Sequence, residues 1–388
     1  MKPRAHTAAV AAAACALLAA PPARADWARI TSASPGTSAG EVNLLRTTDG
    51  TLHLVWRSTL TSYRHRLDHR TIAGDGTVGA TTRAAQDWLE MSDPAMTAGP
   101  DGLRVLFGGI HTAHPDEINT ELNTALSLDG GATWGLQDGS ISGPGTGVDD
   151  SPVAAATQAD GVPLTAWANP TGTWIHRGVD PLVAPVNIQT QLGGVGVRPG
   201  VATVGTRTVV AWYASSGSTR GVYAQEVAAN GTAAGAATSM PGTSGTRAAM
   251  PGRTPVASRV GGKVFVAYAA GSGATRRILL WSVGAARARV IARASSAAVA
   301  AVTADPSGRV WVAWTTRVGS RYRVLARRSD AGATRFGPPV DAGRPATGVT
   351  VARTLDVSAA GDDLDVLAGY SKAGSSRVTT YYSRIAAR

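Results

Sequence analysis

The sequence predicts an all-β chain: a single β-propeller, most simply of seven four-stranded blades closed by the N-terminal strand. Three observations predict it. One phrase, a small-residue strand, a Gly turn and a strand ending in an apolar pair, recurs seven times. The copies stand about fifty residues apart, which suits a four-stranded blade with variable loops. The last copy lacks a fourth strand, while the start of the chain offers an unplaced one.

The second strands of the phrase are the clearest. In order they are Leu52–Trp56, Leu103–Phe107, Leu164–Trp167, Val209–Trp212, Val264–Tyr268, Val310–Trp314 and Leu364–Ala368. Before them stand Asp49-Gly50, Asp101-Gly102, Asp160-Gly161, Gly205, Gly261-Gly262, Ser307-Gly308 and Gly361-Asp362. Such pairs supply the positive φ of a tight hairpin. The strands preceding the turns are rich in small residues, as in Pro152–Ala155 and Pro255–Ser258, and suit the crowded axis. Third strands follow, for example Tyr63–Thr71, Gly221–Val227 and Arg377–Ile385. Outer strands are expected at places such as Val186–Thr190 and Arg289–Arg293. The chain ends at Arg388 before a last outer strand, and Trp27–Thr31 is expected to complete that blade. Closure of this kind removes an open edge. A tandem of β-sandwiches would also show short strands and turns. It would not give one phrase seven times with a spare strand at the far end.

Residues 1–25 read as a secretory leader. Lys2 and Arg4 precede an apolar stretch from Ala8 to Ala20, and Ala23-Arg24-Ala25 offers a small-x-small cleavage site. Cleavage after Ala25 leaves residues 26–388 as the propeller, secreted or extracytoplasmic. The rival is a lipoprotein acylated at Cys15, but Ala12 stands where a larger aliphatic residue is needed. Cys15 is the only cysteine, so the mature chain has no disulfide or thiolate chemistry. No other apolar run is long enough to span a bilayer.

The Asp and Thr of one motif carry a family resemblance. Ser127-Leu128-Asp129-Gly130-Gly131-Ala132-Thr133-Trp134 fits Ser-x-Asp-x-Gly-x-Thr-Trp. This resembles the Asp box, or BNR repeat, of the sialidase-like β-propeller superfamily. Asp330-Ala331-Gly332-Ala333-Thr334 is a weaker copy. Only these two stretches resemble the box itself. Its elements are structural: Ser127, Asp129 and Thr133 are expected to bond the turn, Gly131 to take a conformation closed to other residues, and Trp134 to bury its ring. In this superfamily such turns lie opposite the active site. The resemblance also implies an Arg-Ile-Pro on the innermost strand of the first blade, its Arg one of three that grip a substrate carboxylate. Gly40-Glu41-Val42 stands there instead. Arg29-Ile30 lies on the strand assigned to the last blade, and no Pro follows it.

Loops entering the inner strands build one face of a propeller. Asp93, Asp150, Arg198, Arg253 and Arg353 stand at those places and are expected to ring the channel mouth. The longest loop there, Gly108 to Glu121, carries His111 and His114. Their spacing lacks the helix that makes a zinc motif specific, so they read as polar ligand contacts, with no metal. Gly36-Thr37-Ser38-Ala39-Gly40 matches Gly-x-Ser-x-Gly, but no helix follows to make a nucleophile elbow. No cofactor is expected.

Charge is uneven. The chain carries +11, and loss of Lys2, Arg4 and Arg24 with the leader brings it to +8. From Arg276 to Arg335 twelve arginines face Asp305 and Asp330 alone, a net +10. Arg287, Arg289 and Arg293 alternate, which predicts one face of an outer strand. Arginine is also favoured compositionally, since lysine occurs only at 2, 263 and 372.

Two function classes lead, with a polyanion-binding surface protein as a third. One is a non-catalytic module whose loop face binds a ligand, a glycan or a protein. The other is an exo-sialidase-type glycoside hydrolase. The missing first-blade arginine and the lack of a clear Tyr–Glu nucleophile pair separate them; Tyr223 and Glu226 sit on a third strand. The expected partners are an anionic glycan or envelope polymer, or a protein, and not nucleic acid. The chain is expected to be a monomer.

Overall fold

The computed structural model describes residues 26–388 except 32–36, 62, 114–119, 138, 143–145, 149–151, 189–195, 215–219, 243–247, 250–251, 295, 297–298, 320, 346–350 and 388. Residues 1–25, where a leader was expected, therefore lie outside the described residues, as do Asp150 and His114. The described residues form strands and a single 3-10 turn, Gly273–Thr275. No helix among them is long and apolar enough to cross a membrane.

The strands come as successive antiparallel meanders. After β1 (Ala28–Arg29) and β2 (Ser38–Ala39), the first comprises β3 (Asn43–Arg46), β4 (Leu52–Thr61), β5 (Arg64–Ile72) and β6 (Thr82–Met91). The next has β7 (Ala95–Gly99), β8 (Gly102–His111), β9 (Glu121–Ser127) and β10 (Gly135–Leu136). Then come β11 (Ala154–Thr157), β12 (Pro163–Asn169), β13 (Gly172–Arg177) and β14 (Val186–Asn187). They are followed by β15 (Gly196–Val204), β16 (Arg207–Ala214), β17 (Gly221–Val227) and β18 (Ala233–Ser239). β19 (Ala248–Ala249), β20 (Val256–Arg259), β21 (Lys263–Ala270), β22 (Arg277–Ser282) and β23 (Arg289–Arg293) form another. β24 (Ala300–Ala304), β25 (Val310–Val318), β26 (Arg321–Arg328) and β27 (Val340–Gly343) precede the last strands, β28 (Val351–Ala360), β29 (Asp363–Ser371) and β30 (Thr379–Ile385).

The first strands of the meanders neighbour one another in succession. β3 lies beside β7, then β11, β15, β20, β24 and β28 follow, and β28 comes back beside β3. Residues of β3, β11, β15, β20, β24 and β28 line a central cavity of about 410 Å³. This is the layout of a β-propeller. The first two meanders join in one nine-stranded sheet, because the end of β6 pairs with β8 as it leads into β7.

The expected N-terminal contribution is present. Ala28 and Arg29 pair with Tyr382 and Tyr381 of β30. The Ile30 amide donates to Thr380 O at 2.9 Å. Trp27 donates from Nε1 to Ala342 O at 2.8 Å, so the same segment also reaches β27. On the first-strand side, buried Asp365 of β29 accepts from Arg384 Nε at 2.7 Å, from Tyr382 Oη at 2.8 Å and from Arg46 of β3. An acid in an apolar second strand is thus matched by two arginines and a phenol, as a buried charge requires.

Second strands are apolar on both sides because each meander packs against two others. Val310–Trp314 is buried throughout, and Trp56, Trp167, Trp212 and Trp311 are among the most fully buried side chains. Several expectations need correction. The outer strand placed at Val186–Thr190 is strand only over Val186–Asn187, the residues beyond 188 lying outside those described. Arg287 precedes β23, and Ile291 between Arg289 and Arg293 is buried, because a register shift in the β22–β23 pairing breaks strict alternation. Trp134 is half-buried, since its ring lies at a sheet edge against His69. Those that concern Arg353 and His111 are taken up with the site.

Candidate functional site at the channel mouth

Sequence places a carboxylate or a guanidinium where several inner strands begin. The fold brings a subset of them together. Glu41 leads into β3, Asp93 into β7 and Arg253 into β20, and Asp356 sits on β28. Glu41, Arg253 and Asp356 all line the central cavity, with Asn43, Thr254 and Ser358 further along its wall.

Arg253 is the hub. Its backbone amide donates to both Glu41 oxygens, at 3.0 and 2.9 Å. Its Nε donates to Val153 O at 2.7 Å, and its Nη2 to Pro94 O. The guanidinium thereby ties the starts of β7 and β11 to its own blade. Nη1 stands 3.7 Å from Glu41 Oε1. It is buried and has no hydrogen-bond partner among the described residues. Only 10% of the Arg253 side chain and 11% of the Glu41 side chain remain exposed, so water compensates little.

Asp93 pairs with Arg57 at 3.2 Å between Oδ1 and Nε, without hydrogen-bond geometry. Arg57 also donates to Met91 O. Two glycines make room for these acids. A Cβ on Gly40 would lie 1.9 Å from Asp93 Oδ1, and one on Gly252 2.5 Å from Glu41 Oε1. Arg198 sits in a bulge of β15 at φ +62°, a conformation uncommon outside glycine. Its carbonyl accepts from the amide and the hydroxyl of Thr254, at 2.9 and 2.7 Å. Its positive charge acts on Glu41 and favours the ionised carboxylate.

Burial raises the pKa of Glu41; Asp93 adds to this, and Arg253 offsets part of it. Asp356 is pushed up to about 7, first by burial and then by the negative charge of Glu41. Its Oδ1 accepts from the Val357 amide at 2.8 Å, which holds the carboxyl in place. With its pKa at about 7, the Asp356 carboxyl can donate as well as accept hydrogen bonds near neutral pH, beside a Glu41 whose pKa is also raised. The same pattern can serve acid–base chemistry.

Of the residues expected at the mouth, Asp93, Arg198 and Arg253 do gather there. Arg353 does not. Its register shifts at the β28–β29 pairing between Ala352 and Thr354, leaving Arg353 as the extra residue. It is exposed and donates to Ser371 Oγ at 3.0 Å. His111 does not either. It lies edge-on to Trp88, ring centroids 5.1 Å apart, and lines a separate side groove with Trp88 and Trp134. Asp150 and His114 fall outside the described residues. Sequence reasoning missed Asp356, although a charge in an inner strand of small residues is a visible signal. It read Glu41 only as a missing arginine.

The turn from Ser127 to Trp134 lies at the end of β9. Asp129 accepts from the Thr133 amide at 2.8 Å and the Thr133 hydroxyl at 2.6 Å, and from Ser127 Oγ at 2.8 Å. These bonds hold its pKa down to about 2. Gly131 has φ +89°, and a Cβ there would lie 2.2 Å from His69 Cε1. Asp330 and Thr334 repeat the two Asp–Thr bonds, at 2.7 and 2.6 Å. Among the described residues no group of three or more His, Cys, Asp or Glu is placed to hold a metal ion.

No family model matches the chain, and no curated protein does. Solved structures do. A protein of unknown function from Dyadobacter fermentans DSM 18053 is similar with a TM-score of 0.54 and 12% identity, over 92% of this chain and 97% of that one. A mutant of the alpha-L-arabinofuranosidase arb93a from Fusarium graminearum, in complex with an iminosugar inhibitor, has a TM-score of 0.52 and 12% identity. It covers 90% of this chain and 93% of its own. A Hadza microbial sialidase has a TM-score of 0.48 and 12% identity, over 90% of this chain and 66% of that one. The first two likenesses agree with the β-propeller layout of the meanders, and at 12% identity they extend to the fold alone.

Proposed function

We propose that residues 26–388 form an exported, seven-bladed propeller that binds a glycan at the channel mouth and is not a sialidase. In this reading β3, β7, β11, β15, β20, β24 and β28 are the inner strands, β1 completes the last blade, and the Ser127–Trp134 turn is an Asp box. The observation that carries the site is Arg253. A buried guanidinium nitrogen, 3.7 Å from Glu41 Oε1 and with no hydrogen-bond partner among the described residues, belongs to a residue that lines a cavity with Glu41 and Asp356. Such an atom is costly unless a ligand oxygen meets it.

The ligand this favours is neutral and hydroxyl-rich. A sialic acid carboxylate needs several uncommitted guanidinia. Here Arg253 is held by Glu41 and two carbonyls, Arg57 faces Asp93, and Arg353 points away. Glu41, Asp93 and Asp356 stand against Arg57, Arg198 and Arg253 there, and with Asp356 titrating at about 7 the charge of the mouth depends on pH. The anionic glycan expected from sequence therefore fits this mouth less well than a neutral one. A second reading, a glycoside hydrolase of another specificity, is favoured by the paired raised acids of Glu41 and Asp356. The arabinofuranosidase among the similar folds makes furanosides a sensible first panel.

Calorimetric titration with arabinose oligomers, neutral hexose oligomers and sialyllactose tests this. A neutral sugar is expected to bind and sialyllactose not. A fluorogenic sialoside is expected to remain intact above a buffer control. Turnover of that sialoside would overturn the reading. Turnover of an aryl arabinoside or another neutral aryl glycoside, lost in Asp356→Asn, would select the hydrolase reading.

A further inference from the structure

A second recess lies between β6 and β10, the outer strands of the first two meanders. Arg83, Gln86, Asp87 and Trp88 of β6 line it together with His111 and Trp134. It shares no lining residue with the central cavity. Its volume of about 490 Å³ falls within the range of about 300–1,000 Å³ usual for small-ligand sites.

Two features here are costly to the free protein. Asp87 has φ +65°, a conformation uncommon outside glycine. It lies between Ala85 and Trp88, where β6 carries one residue more than its β5 partner. Bulges and positive φ of this kind re-aim side chains and cluster at ligand sites. Trp88 is 3% exposed, and its Nε1 has no hydrogen-bond partner among the described residues. The indole is nonetheless fixed in place. Phe107 and His111 meet it edge-on, ring centroids 4.9 and 5.1 Å away, and a Cβ on Gly109 would lie 2.6 Å from its Cε3.

The other lining groups each keep one function free. The Ala113 amide donates to His111 Nδ1 at 3.2 Å, so the neutral ring carries its proton on Nε2 and can donate it. Trp134 Nε1 is taken by Gly131 O at 3.1 Å, which leaves the uncovered part of its ring as an apolar surface. Arg83 donates to Gln86 Oε1 at 2.8 Å. The Asp87 carboxylate is exposed, with no hydrogen bond or ion pair among the described residues.

An apolar ring beside an N–H donor and a carboxylate acceptor matches a pyranose, which has an apolar C–H face and a rim of hydroxyls. Equatorial hydroxyls leave that face flattest. We propose that this groove binds a neutral, β-linked, equatorially hydroxylated glycan, at a site independent of the channel mouth. Arg83 on the same wall makes a cationic occupant fit less well.

The test is calorimetric titration with cellotetraose. Asp87→Gly removes the carboxylate and relieves the positive φ. It is expected to melt no lower than the parent while binding about ten-fold more weakly, the loss of one hydrogen bond to a charged group. Trp134→Ala is expected to lose at least as much, and Trp134→Phe, which keeps a ring, to retain most of the affinity. Asp356→Asn separates this site from the mouth. A loss confined to Asp356→Asn, with Asp87→Gly binding as the parent does, would place the sugar at the mouth and overturn the groove alone. A loss in Asp87→Gly supports the groove whatever the mouth binds. Absence of cellotetraose binding by the parent, or tighter binding of tetralysine than of the sugar, would also overturn the proposal.

Discussion

Asp356→Asn is expected to stabilise the protein at pH 8 and to leave it unchanged near pH 4. The Asp356 carboxyl titrates at about 7 in the folded chain, against an ordinary 3.8. Between those values the folded chain keeps a proton that the unfolded chain has released, so stability falls as pH rises through that window. Above it the whole penalty stands. At 1.36 kcal/mol per pH unit the interval corresponds to ~4 kcal/mol. The carboxyl faces a channel that water enters, so a gain of about 2 kcal/mol is the working figure. Asparagine keeps the oxygen that accepts from Val357 and removes the charge. Urea unfolding followed by fluorescence of the buried tryptophans, at pH 4, 6 and 8, measures the difference. His69 works in the opposite sense. Burial and the neighbouring His53 ring, 3.1 Å away, lower its pKa to about 4. Its contribution is complete above pH 6.5 and is lost as pH falls towards 4. The two groups oppose each other in one window, so Asp356→Asn should also steepen the acid side of the stability profile. Equal stability of variant and parent at pH 8, or a gain equally large at pH 4, would refute this electrostatic picture of the mouth.

Ile30→Ala should cost about 3 kcal/mol, because Ile30 is 2% exposed in a cluster with Leu367 and Tyr382. Thermal melting checks it, and removal of 26–31 should cost more. Gly131→Ala should cost about 3 kcal/mol and Gly130→Ala about 1 kcal/mol, although both have positive φ. The difference arises because a Cβ on Gly131 meets His69 at 2.2 Å while one on Gly130 meets nothing within 4 Å. Equal costs in denaturant would show that His69 yields easily.

Much of the fold was legible because propeller strands repeat one local instruction. The Leu364–Ala368 copy could be aligned with Leu52–Trp56 from turn and apolar pattern alone, and the spare strand at Trp27–Thr31 pointed to its partner. The site was legible only in part. Position at the start of an inner strand found Arg253 and Asp93, because strand order fixes where such residues lie. It failed for Arg353, since a single-residue bulge reverses the direction of a side chain and leaves no sequence mark. It also missed Arg57, whose pairing with Asp93 depends on how two meanders dock. Trp134 was expected to be buried from its motif, but how far β10 runs, only Gly135–Leu136, decides its cover.

The central claim is that Arg253, Glu41 and Asp356 form a neutral-sugar site at the channel mouth. A crystal structure of the protein soaked with the tightest-binding sugar of the titration panel tests it most directly. The account predicts a sugar oxygen within hydrogen-bond distance of Arg253 Nη1, and a second hydroxyl on Asp356 or Glu41. A sugar seated only in the Trp88–Trp134 side groove, with Arg253 Nη1 still without a partner, would contradict it.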